Sequence, residues 1–270
     1  MGRLFCYPLF FILMLVSVGY ATADLTDDLV VHFTFDTVKG KTIVDESGNG
    51  LDAKVIKNTE FVKGKYGKAI HITKETEDCV NVPASHELEI SEEITMMAWV
   101  YQDDWTESTF QWLDKGSYSK AFHSVYGMAV FNKDAHSPGI GVILGGDIHR
   151  RFIVRNNMRN KKWHHIAATC NDTSVKIYLN GELLNPPGRL PPELKLNFRG
   201  INDEDLRIGC AKGKPGYAFE DGSIDEVAIW SRALSEDEIG SAMQGRWLSV
   251  SPKDKVATTW GNIKRTAFQP

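Results

Sequence analysis

Apolar positions along this chain fall in short runs, each closed by Gly, Asn, Asp or Pro, the signature of many short strands. LVVHFTF (29–35) alternates at its start, DESGNG (45–50) is a cluster of turn formers, and LDAKVI (51–56) follows as a strand. GKYGKAIHI (64–72) is a glycine-punctuated turn entering a strand, and CVNVP (79–83) is a strand ended by proline. ITMMAWVY (94–101) is an unbroken apolar run, as expected of a central strand buried on both faces. VYGMAVF (125–131) and GIGVIL (139–144) predict a further pair, and LRIGC (206–210) another short strand. WHHIAATC (163–170) and SVKIYLNGELL (174–184) predict a hairpin region, in which Asn180-Gly181 suits a type I′ turn needing positive φ at both central residues. NPPGRLPPEL (185–194) predicts an extended loop. One stretch is helical: LSEDEIGSAM (234–243) carries Ser235 as N-cap with Glu238 three residues on, a capping box, and acids in the first turn that suit the helix dipole. The pattern is all-β: a two-sheet antiparallel β-sandwich or jelly roll with one short C-terminal helix.

GSIDEVAIW (222–230) breaks the pattern, because an acidic pair sits inside a strand. Strict alternation puts Ser223, Asp225, Val227 and Ile229 on one face and Ile224, Glu226, Ala228 and Trp230 on the other. Each face is then mostly apolar with one carboxylate, and a buried carboxylate needs hydrogen-bond donors, a cation or a metal.

The first residues change the picture of where the chain works. Arg3, the apolar run 10–18 and Ala21-Thr22-Ala23 have the layout of a cleavable secretory signal over residues 1–23. The run is short for a membrane span, and an uncleaved anchor is the alternative. Residues 24–247 then form one domain and 248–270 a polar, basic tail, either an edge strand or mobile. No other transmembrane segment is expected, and the reading is of a secreted or cell-surface protein. Removing Arg3 leaves 30 basic against 35 acidic side chains, so no global basic field points to nucleic acid. Three cysteines remain, Cys79, Cys170 and Cys210, enough for one intrachain bridge, with three buried small hydrophobes as the alternative.

Several of these stretches together resemble the laminin-G-like jelly-roll family of the concanavalin A-like lectin/glucanase superfamily. HFTFD is similar to its first strand, VDESGNGLDAKV to its Asp-x-Ser-Gly-Asn-Gly turn, and GKYGKAIHI to its Gly-Lys-x-Gly element. ITMMAWV resembles its central strand, WHHIAATCNDTSVKIYLNGELL its hairpin, and GSIDEVAIWSRALSEDEI its last strand and helix. The order holds from residue 29 to about 247. The resemblance implies a calcium ion at the sandwich rim. Asp36, Asp45, Asn49 and Asp225 offer hard oxygens of the kind calcium takes in shells of six to eight. The alternative is that Asp225 accepts backbone N–H bonds or pairs with a cation.

For ligand binding, Trp105 and Tyr118 stand in a loop-rich aromatic stretch and could stack sugar rings, with Trp105 expected exposed and Trp112 expected in the core. Arg151 and Arg155, in the basic run 149–165, could grip acidic or sulfated sugars bidentately; a solvated loop is the alternative. His164 and His165 are adjacent, so they point to opposite strand faces and cannot chelate as a pair; one is expected near Trp163 and one exposed. Asn171-Asp172-Thr173 matches an N-glycosylation acceptor. Glycosidases of the resembled superfamily pair two carboxylates on one strand face about 5 Å apart, and no such pair stands around Asp225. The expectation is an exported, non-catalytic module that recognises a glycan or glycoprotein surface and carries a structural calcium. The alternatives are a protein-interaction or adhesion domain without a sugar site, and a glycosidase.

Overall fold

The computed structural model describes residues 24–57, 59–73, 79–105, 110–117, 124–131, 139–145, 150–155, 158–184, 202–213, 219 and 221–245. The expected signal, the tail beyond 247, the proline-rich loop and Tyr118 lie outside the described residues.

Two antiparallel sheets stack face to face. Sheet A contains β1 (Leu29–Phe33), β5 (Glu60–Lys63), β6 (Lys68–Ile72), β8 (Ile94–Gln102), β13 (Lys162–Cys170), β14 (Val175–Leu179), β15 (Glu182–Leu183) and β17 (Gly222–Trp230). Its order is β15-β14-β13-β8-β17-β6-β5, with β1 also paired to β17. Sheet B contains β2 (Val38–Lys39), β3 (Thr42–Ile43), β4 (Ala53–Ile56), β7 (Cys79–Val82), β9 (Phe110–Lys115), β10 (Tyr126–Phe131), β11 (Gly139–Leu144), β12 (Arg150–Arg155) and β16 (Leu206–Ile208). Its order is β12-β11-β10-β9-β16-β7-β4-β3-β2.

The core lies between the sheets. Sheet A supplies Phe33, Ile70, Met96, Ala98, Ile166 and Ile224, and sheet B supplies Ile43, Val80, Trp112, Met128, Val142 and Leu206. Burying side chains of this size contributes roughly 1.5–3 kcal/mol each, and the two inner faces together are what hold the sandwich. A second apolar cluster lies on the opposite face of sheet A. There α1 (Glu236–Met243) sets Ile239 and Ala242 against Met97, Ala167, Tyr178 and Trp230. The helix starts at the expected capping box, with Ser235 and Glu238 bonded reciprocally. The Asn180-Gly181 turn has positive φ at both residues, 53° and 85°.

β17 corrects the strict alternation read from its sequence. Glu226 has φ of +50°, and the register against β8 shifts between Asp225 and Ala228. This is a β-bulge, which inserts one residue and reverses which face follows. Ile224, Val227 and Ile229 therefore all face the core, while Ala228 and Trp230 face α1. The acidic pair sits where β17 changes neighbours: residues 222–224 pair with β6, and residues 227–230 pair with β1. Neither carboxylate has to enter the core between the sheets.

Cys79 and Cys210 form a disulfide with Cα atoms 5.6 Å apart. Cys170 is a free, buried thiol whose pKa burial pushes up, so it is packing rather than chemistry.

Candidate functional site

The four residues considered for calcium fall into two pairs, each engaged with backbone. Asp45 Oδ1 accepts the N–H groups of His32 and Ser47, both at 3.0 Å, and Oδ2 accepts the Ser47 hydroxyl at 2.7 Å and Leu51 N–H at 3.0 Å. Asn49 Nδ2 donates to the Leu29 and Val30 carbonyls at 2.7 and 2.9 Å. This pair fastens the 45–51 turn to β1. Asp36 and Asp225 do approach one another's neighbourhood, because both hold the 64–68 turn. Lys68 N–H donates to Asp36 Oδ1 at 2.7 Å, and Tyr66 N–H donates to Asp225 Oδ2 at 3.0 Å. A Cβ on Gly64 would meet Asp225 Oδ2 at 2.5 Å, and one on Gly67, whose φ is +43°, would overlap the Asp36 carboxylate. The glycines of GKYGK are thus set by carboxylates that pack on bare backbone. Among the described residues no group of three or more His, Cys, Asp or Glu side chains converges as a metal would need. The donor set does not fit one calcium shell.

Asp225 is fully buried, and burial, reinforced by the neighbouring Glu226 charge, pushes its pKa up to about 7 against backbone donors from Tyr66, Glu226 and Lys65. Glu226 is buried too, and its Oε2 lies 2.9 Å from His32 Nε2. The acidic pair is therefore fold chemistry at a sheet junction: one acid holds a turn and the other holds β1.

The residues considered for ligand binding are placed differently from expectation. Trp105 is only 1% exposed and belongs to the core; its indole N–H donates to the Arg159 carbonyl at 3.2 Å and its ring meets those of Phe110 and His164 edge-on. An aromatic between polar neighbours turned inward because a core ring and a buried acceptor were both in reach. Arg151 and Arg155 lie in a strand, β12, rather than a loop, opposite Ile143 and Gly139; their side chains lie outside the described residues. His164 and His165 do take opposite faces, but both are buried. His164 bonds the Arg159 backbone, while His165 packs edge-on against Trp99 with neither ring nitrogen hydrogen-bonded among the described residues. Burial pushes the His165 pKa down to about 3, so its ring is neutral.

A different set of residues converges on the outer face of sheet B. The registers of successive strands align one residue from each into a single transverse row. Lys39 stands opposite Thr42, Thr42 opposite Lys54, and Lys54 opposite Asn81. Asn81 stands opposite Arg207, and Arg207 opposite Asp114. Asp114 then faces Gly127 on β10. The alternate residues of these strands (Ile43, Ala53, Val80, Leu206 and Leu113 among them) fill the core, so the row points away from it. It descends from exposed Lys39 and Lys54, through half-buried Asn81 and Arg207, to Asp114, which is 0% exposed.

Three buried polar atoms in this row lack a hydrogen-bond partner among the described residues: Asn81 Oδ1, Arg207 Nε and Asp114 Oδ2. Asp114 Oδ1, by contrast, accepts the Gln111 amide at 2.8 Å and the Ser124 hydroxyl at 2.7 Å. Burial raises the Asp114 pKa to about 7, opposed by the Ser124 hydrogen bond and the Arg207 charge. The ion pairs of the described residues lie elsewhere: His32–Glu226, His86–Glu89, Lys212–Glu204 and Arg232–Glu238. Unsatisfied buried polar atoms cost about 1–3 kcal/mol each. The sequence did not point here. Asp114 in FQWLDK was its one local signal, and the row exists only once strands distant in sequence are paired.

The family described as the concanavalin A-like lectin/glucanases superfamily, of laminin G type, matches residues 74–240. Adhesion G-protein coupled receptor D1 from Bos taurus is 24% identical over 240 residues, 82% of this chain and 23% of the receptor. The Homo sapiens receptor is 28% identical over 139 residues, 48% of this chain and 15% of the receptor. The chain thus spans less than a quarter of the length of these curated relatives. Among solved structures, the binding domain of Paraclostridial Mosquitocidal Protein 1 aligns with TM-score 0.60 and 18% identity, covering 82% of this chain and 53% of that one. Domain 4 of AbnA, an extracellular arabinanase from Geobacillus stearothermophilus, in complex with arabinotriose, aligns with TM-score 0.58 and 18% identity, covering 80% of this chain and 98% of that one. These structures establish the shared fold.

Proposed function

Because the chain belongs to the concanavalin A-like lectin/glucanase superfamily through its laminin G-type domain, we propose that it is an extracellular recognition domain that binds carbohydrate on the outer face of sheet B. The observation that carries this reading is the row of exposed and half-buried polar side chains, Thr42, Lys54, Asn81 and Arg207, aligned across four strands of this face. Sugar hydroxyls donate and accept at once. They can therefore meet a hydroxyl, an amide and cationic side chains side by side, which an apolar ligand cannot. Arabinotriose bound to a domain of this fold supports the ligand class. The Cys79–Cys210 disulfide and the similarity to adhesion receptors support an extracellular setting.

The reading is of a binder rather than a hydrolase. Glycoside hydrolysis generally uses two facing carboxylates, and the row brings Asp114 alone. Calcium has no part in this reading, since Asp45 and Asp225 accept hydrogen bonds on both oxygens and no metal-like cluster of side chains converges among the described residues.

The test is a glycan array with the wild-type chain and with Asn81→Ala and Arg207→Ala, after confirming that each variant melts cooperatively. Selective binding lost in both variants is the expected result. Binding that persists unchanged in both would move the site elsewhere, and an array without any hit would end the carbohydrate reading.

A further inference from the structure

We propose that Asn171 is a modification site whose side-chain nitrogen carries an N-linked oligosaccharide in the mature protein. The inference rests on the extracellular part of the reading above, because the acceptor must pass through a compartment that glycosylates. It is independent of the carbohydrate-binding face on sheet B.

Asn171-Asp172-Thr173 is the one place in the chain where Ser or Thr stands two residues after Asn, and no proline intervenes. The triplet lies in the turn between β13 and β14, just beyond the Cys170–Val175 pair. Asn171 N–H donates to the Ser174 carbonyl at 3.0 Å and closes that turn. An attached oligosaccharide is bulky and needs a surface position. Asp172 and Thr173 are exposed and Asn171 is half-buried. On the neighbouring strand, Cys170 stands opposite Ile94, and residues 91–93 leading into it are exposed. This end of β13 and β8 therefore opens on solvent.

The orientation of the Asn171 amide carries the argument. Its Oδ1 accepts the N–H groups of Thr173 and Ser174 at 3.1 and 2.8 Å, and their hydroxyls at 3.1 and 3.0 Å. A backbone N–H only donates, so the atom facing these two is the oxygen, and Nδ2 is turned away from the turn. No described residue accepts a hydrogen bond from Nδ2. Asn49, Asn160 and Asn180 differ, because each directs Nδ2 to an acceptor within the protein: the Leu29 carbonyl, the Asp104 carboxylate and His164 Nδ1. The transfer takes its sugar from an oligosaccharide carried on a lipid diphosphate. A bond forms between Nδ2 and the anomeric carbon, and that carbon's bond to the phosphate oxygen breaks. Nδ2 releases one proton, the lipid diphosphate leaves with the bonding pair, and nothing is oxidised or reduced. Oδ1 takes no part in the new bond, so the four hydrogen bonds it accepts persist in the product.

The experiment expresses the full chain, with its own N-terminus, in cultured animal cells. The protein is recovered from the medium and from the membrane and cytosolic fractions, then mapped by peptide mass spectrometry before and after treatment with peptide N-glycosidase. The expected result is one glycan, released with conversion of Asn171 to aspartate and with a single downward step in gel mobility. Asn171→Gln and Thr173→Ala should each lose that step. Thr173→Ser, which keeps the hydroxyl, should retain it. Peptide mapping of the wild type locates the sugar whether or not a variant folds. A chain in the medium or membrane fraction whose Asn171 is unmodified would overturn the proposal and leave the extracellular reading standing. A mobility step that persists in Asn171→Gln would overturn the assignment to this residue. A chain found only in the cytosol would take down the extracellular reading and this proposal with it.

Discussion

Replacing Asp225 by Asn should remove the pH dependence that this residue imposes on stability. The carboxyl titrates near 3.8 when free and is pushed up to about 7 in the folded chain. The folded state therefore holds its proton more tightly than the unfolded state. Stability from this group is complete below about pH 4 and is lost as pH rises through about 7. Roughly three pKa units at 1.36 kcal/mol each set an upper bound of about 4 kcal/mol. Asparagine removes the titration but turns an NH2 toward either Tyr66 N–H or Glu226 N–H, where the acid accepted at 3.0 and 2.8 Å. A buried donor facing a donor costs about 1–3 kcal/mol at every pH. The variant should thus be less stable than wild type near pH 4.5 and equal or more stable near pH 8.5. The assay is urea unfolding at several pH values between those limits, read as the difference in unfolding free energy. The difference matters because other groups titrate in the same window: Asp114 in the same direction, and His165, with pKa lowered to about 3, in the opposite one. A difference that stays constant from pH 4.5 to 8.5 would show that Asp225 is not held as a raised acid, and the account of the acidic pair would fail.

Other expectations follow from single features. His165→Phe keeps the edge-on contact with Trp99 and removes a ring that must stay neutral; it should reduce the loss of melting temperature between pH 6.5 and 4, measured against wild type by calorimetry. Gly67→Ala drives a Cβ into the Asp36 carboxylate at positive φ and should cost about 1–3 kcal/mol in urea unfolding, whereas Gly240→Ala, where a Cβ meets nothing within 4 Å, should be neutral or stabilising. Replacing Cys79 and Cys210 together by Ser releases a bridge of sequence separation 131 and should lower stability by about 2–4 kcal/mol, with the same loss on reducing the wild type.

What the sequence revealed was what neighbouring residues decide. The capping box at Ser235 and Glu238, the positive-φ turn at Asn180-Gly181 and the buried run 94–101 each depend on contacts within a few residues, and each is in the structure. The two-sheet architecture followed from the count and spacing of such elements. The bulge at Glu226 was not legible, because a left-handed glutamate is imposed by β6 and β1 competing for one edge of β17, and both strands lie far upstream. Trp105 misled for a related reason: its polar sequence neighbours say nothing of Phe110, His164 and the Arg159 carbonyl that receive it. The row on sheet B is the extreme case. Residues 39, 42, 54, 81 and 207 have no common local pattern, and only the pairing registers align them.

The place of β17 also fixes when this protein can fold. One edge of the strand pairs with β8 along most of its length, and the other is shared by β6 and then β1. The last strand is thus the keystone of the sheet that contains the first, and among the described residues β1 has no other strand neighbour in that sheet. A ribosome releasing the chain from its N-terminus delivers β1 early and leaves it without a partner until residues 227–230 emerge. Such far-separated pairing makes folding slow, on the order of milliseconds to seconds, and keeps the partial chain adhesive meanwhile. Assembly must therefore be nearly all-or-none and late. A chain truncated before residue 222 should yield no smaller stable sandwich, and a cell producing this protein has an unfolded polypeptide to handle for almost the whole of its synthesis.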